Sequence, residues 1–243
     1  MGATSAHDKP RSTVNMTTGE IIADIGIAFK AIGWVFLPAL LLPIIYLFLP
    51  NINTLQALSK AIIRTIDSLS YGLGEIAKWL IPLLVLVVAF TVFALSIFGQ
   101  SWTKLFESAD YLHASIIMLG AGATLLAGQH VRVDVFHTRM DAKARALVDF
   151  IGFYALLLPV CLIILWNSQS FISFAWRIFE GSSEADGIRG EFLLKTLIPI
   201  FAITMILQGL SIALRAAMCM NAQDRPERPP HTPKFFPEQE FDH

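Results

Sequence analysis

Residues 79–98, WLIPLLVLVVAFTVFALSIF, run for twenty positions without a charge. At a rise of 1.5 Å per residue, about 20 residues cross the roughly 30 Å of hydrocarbon in a bilayer. The run holds about a dozen Leu, Ile, Val and Phe, each favouring insertion by roughly 0.3–0.6 kcal/mol, so the whole segment is driven into lipid by several kcal/mol. Backbone N–H and C=O groups find no water there and must bond within the segment, which at this length means a helix and not a barrel strand. Four further stretches have comparable length and composition: Ala28–Leu49, Ala109–Ala127, Leu147–Asn167 and Thr196–Leu214. A chain 55% hydrophobic and 15% charged agrees with that count of spans, and the expected class is an all-α integral membrane protein. The net charge of −1 provides no basic excess for nucleic acid.

The stretch Ala28–Leu49 carries Lys30, Pro38 and Pro43, with Pro50 just beyond. Lys30 lies near one end and can snorkel, at less than the roughly 2.5–3.5 kcal/mol of a charge at mid-span. A kinked fifth span is the expected form, and a re-entrant or interfacial hairpin, which these prolines would also accommodate, is the alternative. Between this stretch and the run at 79–98, Leu55, Leu58, Ile62, Ile66, Leu69 and Leu73 recur at steps of three and four. That pattern predicts an amphipathic helix, lying either in the headgroup layer or against a partner. Beyond Leu214 the chain turns polar, and a tail with Pro226, Pro229, Pro230, Pro233 and Pro237 cannot bury enough apolar surface to order itself. The expected organisation is a polar N-terminal segment (1–27), a hydrophobic segment with an amphipathic helix (28–77), a four-span domain (78–217) and a disordered tail (218–243).

Basic residues set the orientation. Arg132, Arg139, Lys143 and Arg145 crowd the connector between the third and fourth stretches, whereas the connector before it offers only Lys104. The positive-inside rule places the crowded connector in the cytoplasm, and alternate threading brings Lys60, Arg64, Lys78, Arg215, Arg225 and Arg228 to the same side. Five spans then put Lys9 and Arg11 outside, where they fit poorly, and this is the best argument for the hairpin alternative. No charged stub with a short apolar region and cleavage site opens the chain, so no removable signal peptide is expected.

The crowded connector begins GQHVRVDVF, residues 128–136, where His130, Arg132 and Asp134 alternate with valines. Bases alone would serve as a topology determinant, but Asp134 offsets Arg132, and period-two alternation after a glycine describes a short extended segment with two faces. GQHVRVDVFHTRMDAKAR resembles the Gly-x-His-Ile/Val-Arg-Val-Asp signature of the small, DctQ-like membrane subunit of tripartite ATP-independent periplasmic (TRAP) transporters. The likeness is greatest to the mannitol, chloroaromatic and 2-oxo acid branch. Glu107 ahead of the third stretch, Gly120 and Ala121 within it, SSEADGI at 182–188 and the last apolar stretch match the family in order, and the likeness covers about Leu69–Ala217. Two features depart from it: Leu126-Ala127 stands where a basic pair is usual, and Gln129 follows the glycine.

The resemblance implies a bacterial inner-membrane subunit, with the motif loop and C-terminus cytoplasmic. Its partners would be a large membrane subunit of about a dozen helices, working as a sodium-driven elevator, and a periplasmic substrate-binding protein. The small subunit would brace the large one and help dock the binding protein, without holding substrate, metal or cofactor.

The residues themselves also point away from catalysis. Glu107, Asp110 and His113 share one helix face and read as an interfacial polar cluster or, less simply, a proton relay. Gly120, Thr124 and Gly128 recur every four residues and leave a smooth face for helix packing, within this chain or against the large subunit. Gln208 and the cluster Asn167, Ser168, Gln169, Ser170 are candidates for hydrogen bonds across helices, worth about 1 kcal/mol or less each. Trp34, Trp79, Trp102, Trp166 and Trp176 sit near span ends as interfacial anchors. Cys161 and Cys219 have no metal or redox spacing, and no phosphate loop or nucleophile arrangement occurs, so no catalytic residue is assigned. The competing reading is a membrane anchor for a redox or signalling complex; a haem would need two facing histidines, and His113 alone lies within a span. Gly128, His130, Arg132 and Asp134 are expected to form a bonded turn.

Overall fold

The computed structural model describes residues 38–99, 101–128, 140–184, 186–223 and 226. All regular structure among them is helical. The chain divides into units 1–42 and 43–243. Of the first, only the opening of a short apolar helix, α1 (Pro38–Phe48), is described. Residues 28–37, and with them the choice between span and hairpin for the first stretch, lie outside the described residues. Trp34 and the tail beyond 226 lie outside them too.

Four helices are long and apolar enough to cross a membrane: α2 (Asn53–Phe98), α3 (Thr103–Leu126), α4 (Ala142–Ile178) and α5 (Glu191–Met220). Each takes in one of the last four apolar stretches and begins before it; α4 and α5 also run past its end, whereas α2 ends with it and α3 one residue short. Helix α5 is the axis. It packs against α2, α3 and α4, and α2 also packs along α3. Its buried positions include Ala202, Ile206, Gly209, Leu210, Ala213 and Ala217, whereas the outward surfaces of α2 and α4 carry exposed Leu83, Leu86, Phe93, Leu156 and Ile163. A membrane protein presents oil to its solvent, and these surfaces do so.

The expected amphipathic helix and the span after it are one element. Helix α2 runs 46 residues, about 69 Å, more than twice the hydrocarbon thickness. Gly72 and Gly74 weaken a helix without stopping it, and Pro82 removes only one internal hydrogen bond. Gly99, with φ of 60°, ends the helix by donating its N–H to the Leu95 carbonyl at 3.1 Å.

The face that α2 buries differs from the one its apolar spacing predicts. Leu58 and Leu69 are about half exposed, whereas Ser59, Ile63, Ile66, Asp67, Ser70 and Ala77 are buried. In water the leucine stripe would turn inward; beside lipid, the small and polar residues gain more from facing α3 and α5, where they pack closely and find partners.

Close approach holds the helices where no hydrophobic force between them operates. A Cβ on Gly74 would lie 2.5 Å from that of Ala123, so α2 and α3 meet there nearly backbone to backbone. A Cβ on Gly209 would lie 2.6 Å from the Phe153 ring, which α4 inserts against α5. Phe153 opens a single π turn, Phe153–Leu157, in which the Leu158 N–H reaches back to the Phe153 carbonyl. At its far end α4 stops on Phe179, whose φ of 46° is strained for so bulky a residue. Its ring is held edge-on to Phe192 at 5.7 Å, and Trp176 meets the same ring at 4.8 Å.

The Gly74 contact yields a test. Gly74→Ala forces α2 and α3 apart and costs about 1–3 kcal/mol, and adding Ala123→Gly returns most of it. Thermal unfolding in detergent, followed by tryptophan fluorescence, reads both steps; equal stability of Gly74→Ala and the parent contradicts the packing described.

Candidate functional site

By connectivity, the lower end of the four-helix unit holds the α3–α4 connector and the end of α5, and the upper end holds the α2–α3 and α4–α5 connectors. A set of buried polar side chains secures each end.

At the lower end Asp67 of α2 is 1% exposed. A carboxylate so far from water is tolerable only when its oxygens are bonded. Helix α5 supplies the donors. Gln208 Nε2 donates to Asp67 Oδ1 at 3.1 Å, Ser211 Oγ donates to the same oxygen at 2.7 Å, and Arg215 Nη2 donates to Oδ2 as an ion pair. Positions 208, 211 and 215 follow the three- and four-residue steps of one helix face, so a single carboxylate reads about two turns of α5. Arg215 also donates through Nη1 to the Pro226 carbonyl. Nearby, the Tyr46 hydroxyl donates to Gln223 Oε1, and Gln223 Nε2 donates to the Pro50 carbonyl at 2.8 Å. The end of α1 is thereby tied to the chain just beyond α5.

At the upper end Glu107 of α3 holds the α4–α5 connector. It accepts from the Ser182 hydroxyl and from the Ile188 backbone N–H. Gly187 has no room for a Cβ, because the Ser182 side chain and the Glu107 carboxylate occupy that space. Lys104 and Asp186 add an exposed ion pair at 3.4 Å, which contributes little. Lys195 bridges Glu180 and Glu191 and stands 4.2 Å over the Phe171 ring, linking the end of α4 to the start of α5.

The residues singled out from sequence fare differently. Glu107 turns inward to the loop, whereas Asp110 and His113, expected beside it, are exposed on the outward side of α3. A Cβ on Gly120 would lie 3.6 Å from that of Ala77, and one on its neighbour Gly122 would meet Ser70 and Thr204, so this part of α3 does pack within the chain. Thr124 is exposed, and its hydroxyl returns to the Ala121 carbonyl at 2.8 Å. Gly128 has φ of 69° and donates its N–H to the Leu125 carbonyl at 3.1 Å, a left-handed turn out of α3 suited to glycine. His130, Arg132 and Asp134 lie outside the described residues. Gln208 bonds across helices as its position suggested. Asn167 and Ser168 instead return to the carbonyls of Ile163 and Leu165 on their own helix. Trp79 and Trp166 are well exposed, but Trp176 is a packing residue, its Nε1 donating to Thr196 Oγ1 at 2.9 Å.

Asp67 is the residue that pattern reading passed over, since it lies off the leucine stripe and looks solvated. The available signal was on α5, where Gln208, Ser211 and Arg215 put three donors on one face of an otherwise oily helix. Among the described residues no group of three His, Cys, Asp or Glu could hold a metal ion.

A family model matches residues 84–218, more than half of the chain, and its description is the DctQ component of tripartite ATP-independent periplasmic transporters. The chain belongs to this family. It is a small, multi-pass membrane subunit of a TRAP transporter, a transporter component and not a member of an enzyme family. The redox-anchor alternative is not favoured. No curated protein and no solved structure matches the chain. The DctQ match takes in Glu107 and the three donors of α5 but begins after Asp67, so the lower lock joins the matched unit to the segment before it.

Two losses follow from these bonds. Asp67→Ala strands Arg215 and lowers the melting temperature in detergent by about 6–12 °C, the equivalent of roughly 3 kcal/mol, while Asp67→Leu with Arg215→Met restores most of it. Glu107→Ala frees the loop and speeds tryptic cleavage after Arg189 by about tenfold, with Glu107→Gln in between because it keeps one acceptor. Unchanged melting in the first case, or unchanged cleavage in the second, contradicts the assigned bonds.

Proposed function

We propose that this chain braces the large permease subunit of a sodium-gradient-driven TRAP transporter, of the mannitol, chloroaromatic and 2-oxo acid branch, that imports organic acids across a bacterial inner membrane, and that it helps dock the periplasmic binding protein. The match over residues 84–218 carries the reading, because it falls on the four packed helices and not on a tail or a loop. The family works with a large permease and a periplasmic binding protein. A system independent of ATP needs another source of energy, and an ion gradient supplies it.

The chemistry of the chain supports a bracing role. Its buried carboxylate Asp67 is saturated by donors from its own helices, and Glu107 is committed to the upper loop. Lys60, Arg64, Lys78, Arg139, Lys143, Arg145 and Arg215 all belong to the lower end or the elements leading into it, which favours a cytoplasmic lower end with the motif loop and C-terminus. The upper loop, held by Glu107, then faces the periplasm, where the binding protein arrives. His130, Arg132 and Asp134 complete the cytoplasmic turn begun at Gly128 by bonding to one another and to neighbouring helix ends.

The decisive experiment is uptake of a labelled 2-oxo acid by vesicles holding the large subunit, with binding protein outside. Uptake under an inward sodium gradient requires this chain, and Arg132→Ala or Asp134→Ala lowers both uptake and recovery of the paired subunits. Full uptake with this chain omitted, or solute conduction by this chain alone, overturns the proposal.

A further inference from the structure

The outward side of α3 differs from that of α2 in exposing an acid and an imidazole together. Phe106, Asp110, His113, Ile117 and Thr124 are exposed at steps of four, three, four and seven, a single stripe along the helix. Asp110 and His113 lie about 10 and 15 Å along a helix of about 36 Å, at depths where a bilayer holds little water. Neither has a hydrogen-bond or ion-pair partner among the described residues. Helix α2 sets the contrast. Its exposed positions from Leu83 to Phe93 are wholly apolar, and the hydroxyl of that stretch, Thr91, is buried and bonded to the Val87 carbonyl at 2.7 Å. Polar groups on α2 are withdrawn from lipid, whereas on α3 an acid and an imidazole are presented outward.

Hydrocarbon cannot satisfy a carboxyl and an imidazole one turn apart, and such residues in spanning helices face protein or a wet cavity. Ile117 continues the stripe with an apolar side chain, and Ala121 and Thr124 beyond it are small enough for another helix to lie close. We infer that the stripe Phe106–Asp110–His113–Ile117–Thr124 is the seam at which a membrane helix of the large permease subunit docks, presenting a cation or hydrogen-bond donor to Asp110 and a polar group to His113. The inference rests on the reading above, in which such a subunit is the partner, and adds which surface it uses and by what chemistry.

The test uses the full chain, tagged and expressed with the large subunit. A photoreactive benzophenone amino acid in place of Ile117 forms an adduct with the large subunit on illumination, whereas the same probe in place of Leu86 on α2 does not. The double variant Asp110→Leu with His113→Leu recovers about tenfold less large subunit, the loss expected for one charge-assisted contact. Its melting temperature, measured on the chain alone, stays at or above that of the parent, since both side chains lack partners among the described residues. Adducts from position 117 only to a second copy of this chain, or to residues 1–37 of the same chain, overturn the seam, as does undiminished pairing by the double variant. If the parent chain itself recovers no large subunit, the reading on which the seam rests falls with it.

Discussion

A carboxylate taken out of water can stay charged only where donors are fixed in place around it, and Asp67 imposes that condition on the whole lower half of the protein. Its two oxygens take donors from Gln208, Ser211 and Arg215. Sliding α5 by one residue along its axis would move all three off the carboxylate together, so the register between α2 and α5 has one satisfied solution. The other contacts depend on that register. Gly74 can meet Ala123 and Gly122 can meet Ser70 and Thr204 only while α2 and α5 hold their relative height, because α3 lies against both. Dispersion between small residues is strong only at short range, and it is the polar lock that brings the backbones within that range.

What could be read from the residues, and what could not, follows the same physics. The last four apolar stretches became α2 to α5 because length and oiliness determine insertion almost without regard to context. Gln208 is legible as a candidate bond across helices because it is an amide in the middle of an oily helix, whereas Asn167 of α4, read the same way, returns to the Ile163 carbonyl of its own helix. The burial of α2 was not legible from periodicity. The leucine stripe from Leu55 to Leu73 marks a face by a rule calibrated on water, and beside lipid the rule loses its sign: Ser59, Asp67 and Ser70 go in while Leu58 and Leu69 stay half out. The fusion of that segment with the span after it was equally hidden, since Gly72, Gly74 and Pro82 resemble a boundary locally while the packing of both halves keeps one helix. Glu107 was recognised as a matching acid, but its task of accepting Ser182 and Ile188 from 75 and more residues away depends on a loop conformation that no local pattern encodes.

The two polar centres divide the work between the ends of the unit. The lower one joins helix to helix deep inside; the upper one joins a helix to the connector that enters α5. Between them the contacts are small side chains and rings, with Phe153 seated against Gly209 through the π turn of α4. Such a unit resists shear along its axis at both ends. On the proposed reading, a partner that moves substrate by displacing one part of itself against another needs a surface that does not follow, and a helix pinned top and bottom would provide one.

The same allocation bears on where transport chemistry can lie. An ion or solute crossing the hydrocarbon layer needs unsaturated polar groups facing its path. Among the described residues the inward carboxylates Asp67 and Glu107 are already committed, Asp67 to three donors and Glu107 to two; the buried polar atoms left without a partner are two neutral ones, Gln208 Oε1 and Ser59 Oγ. The ionisable groups of α3 that remain without partners among the described residues, Asp110 and His113, point out of the unit and not into it. A group directed outward acts on whatever lies alongside, and on the seam proposed above these two groups of the chain serve contact with a neighbour. Its inner polarity holds its own shape, and these two uses together describe a support whose outer face is as specific as its core.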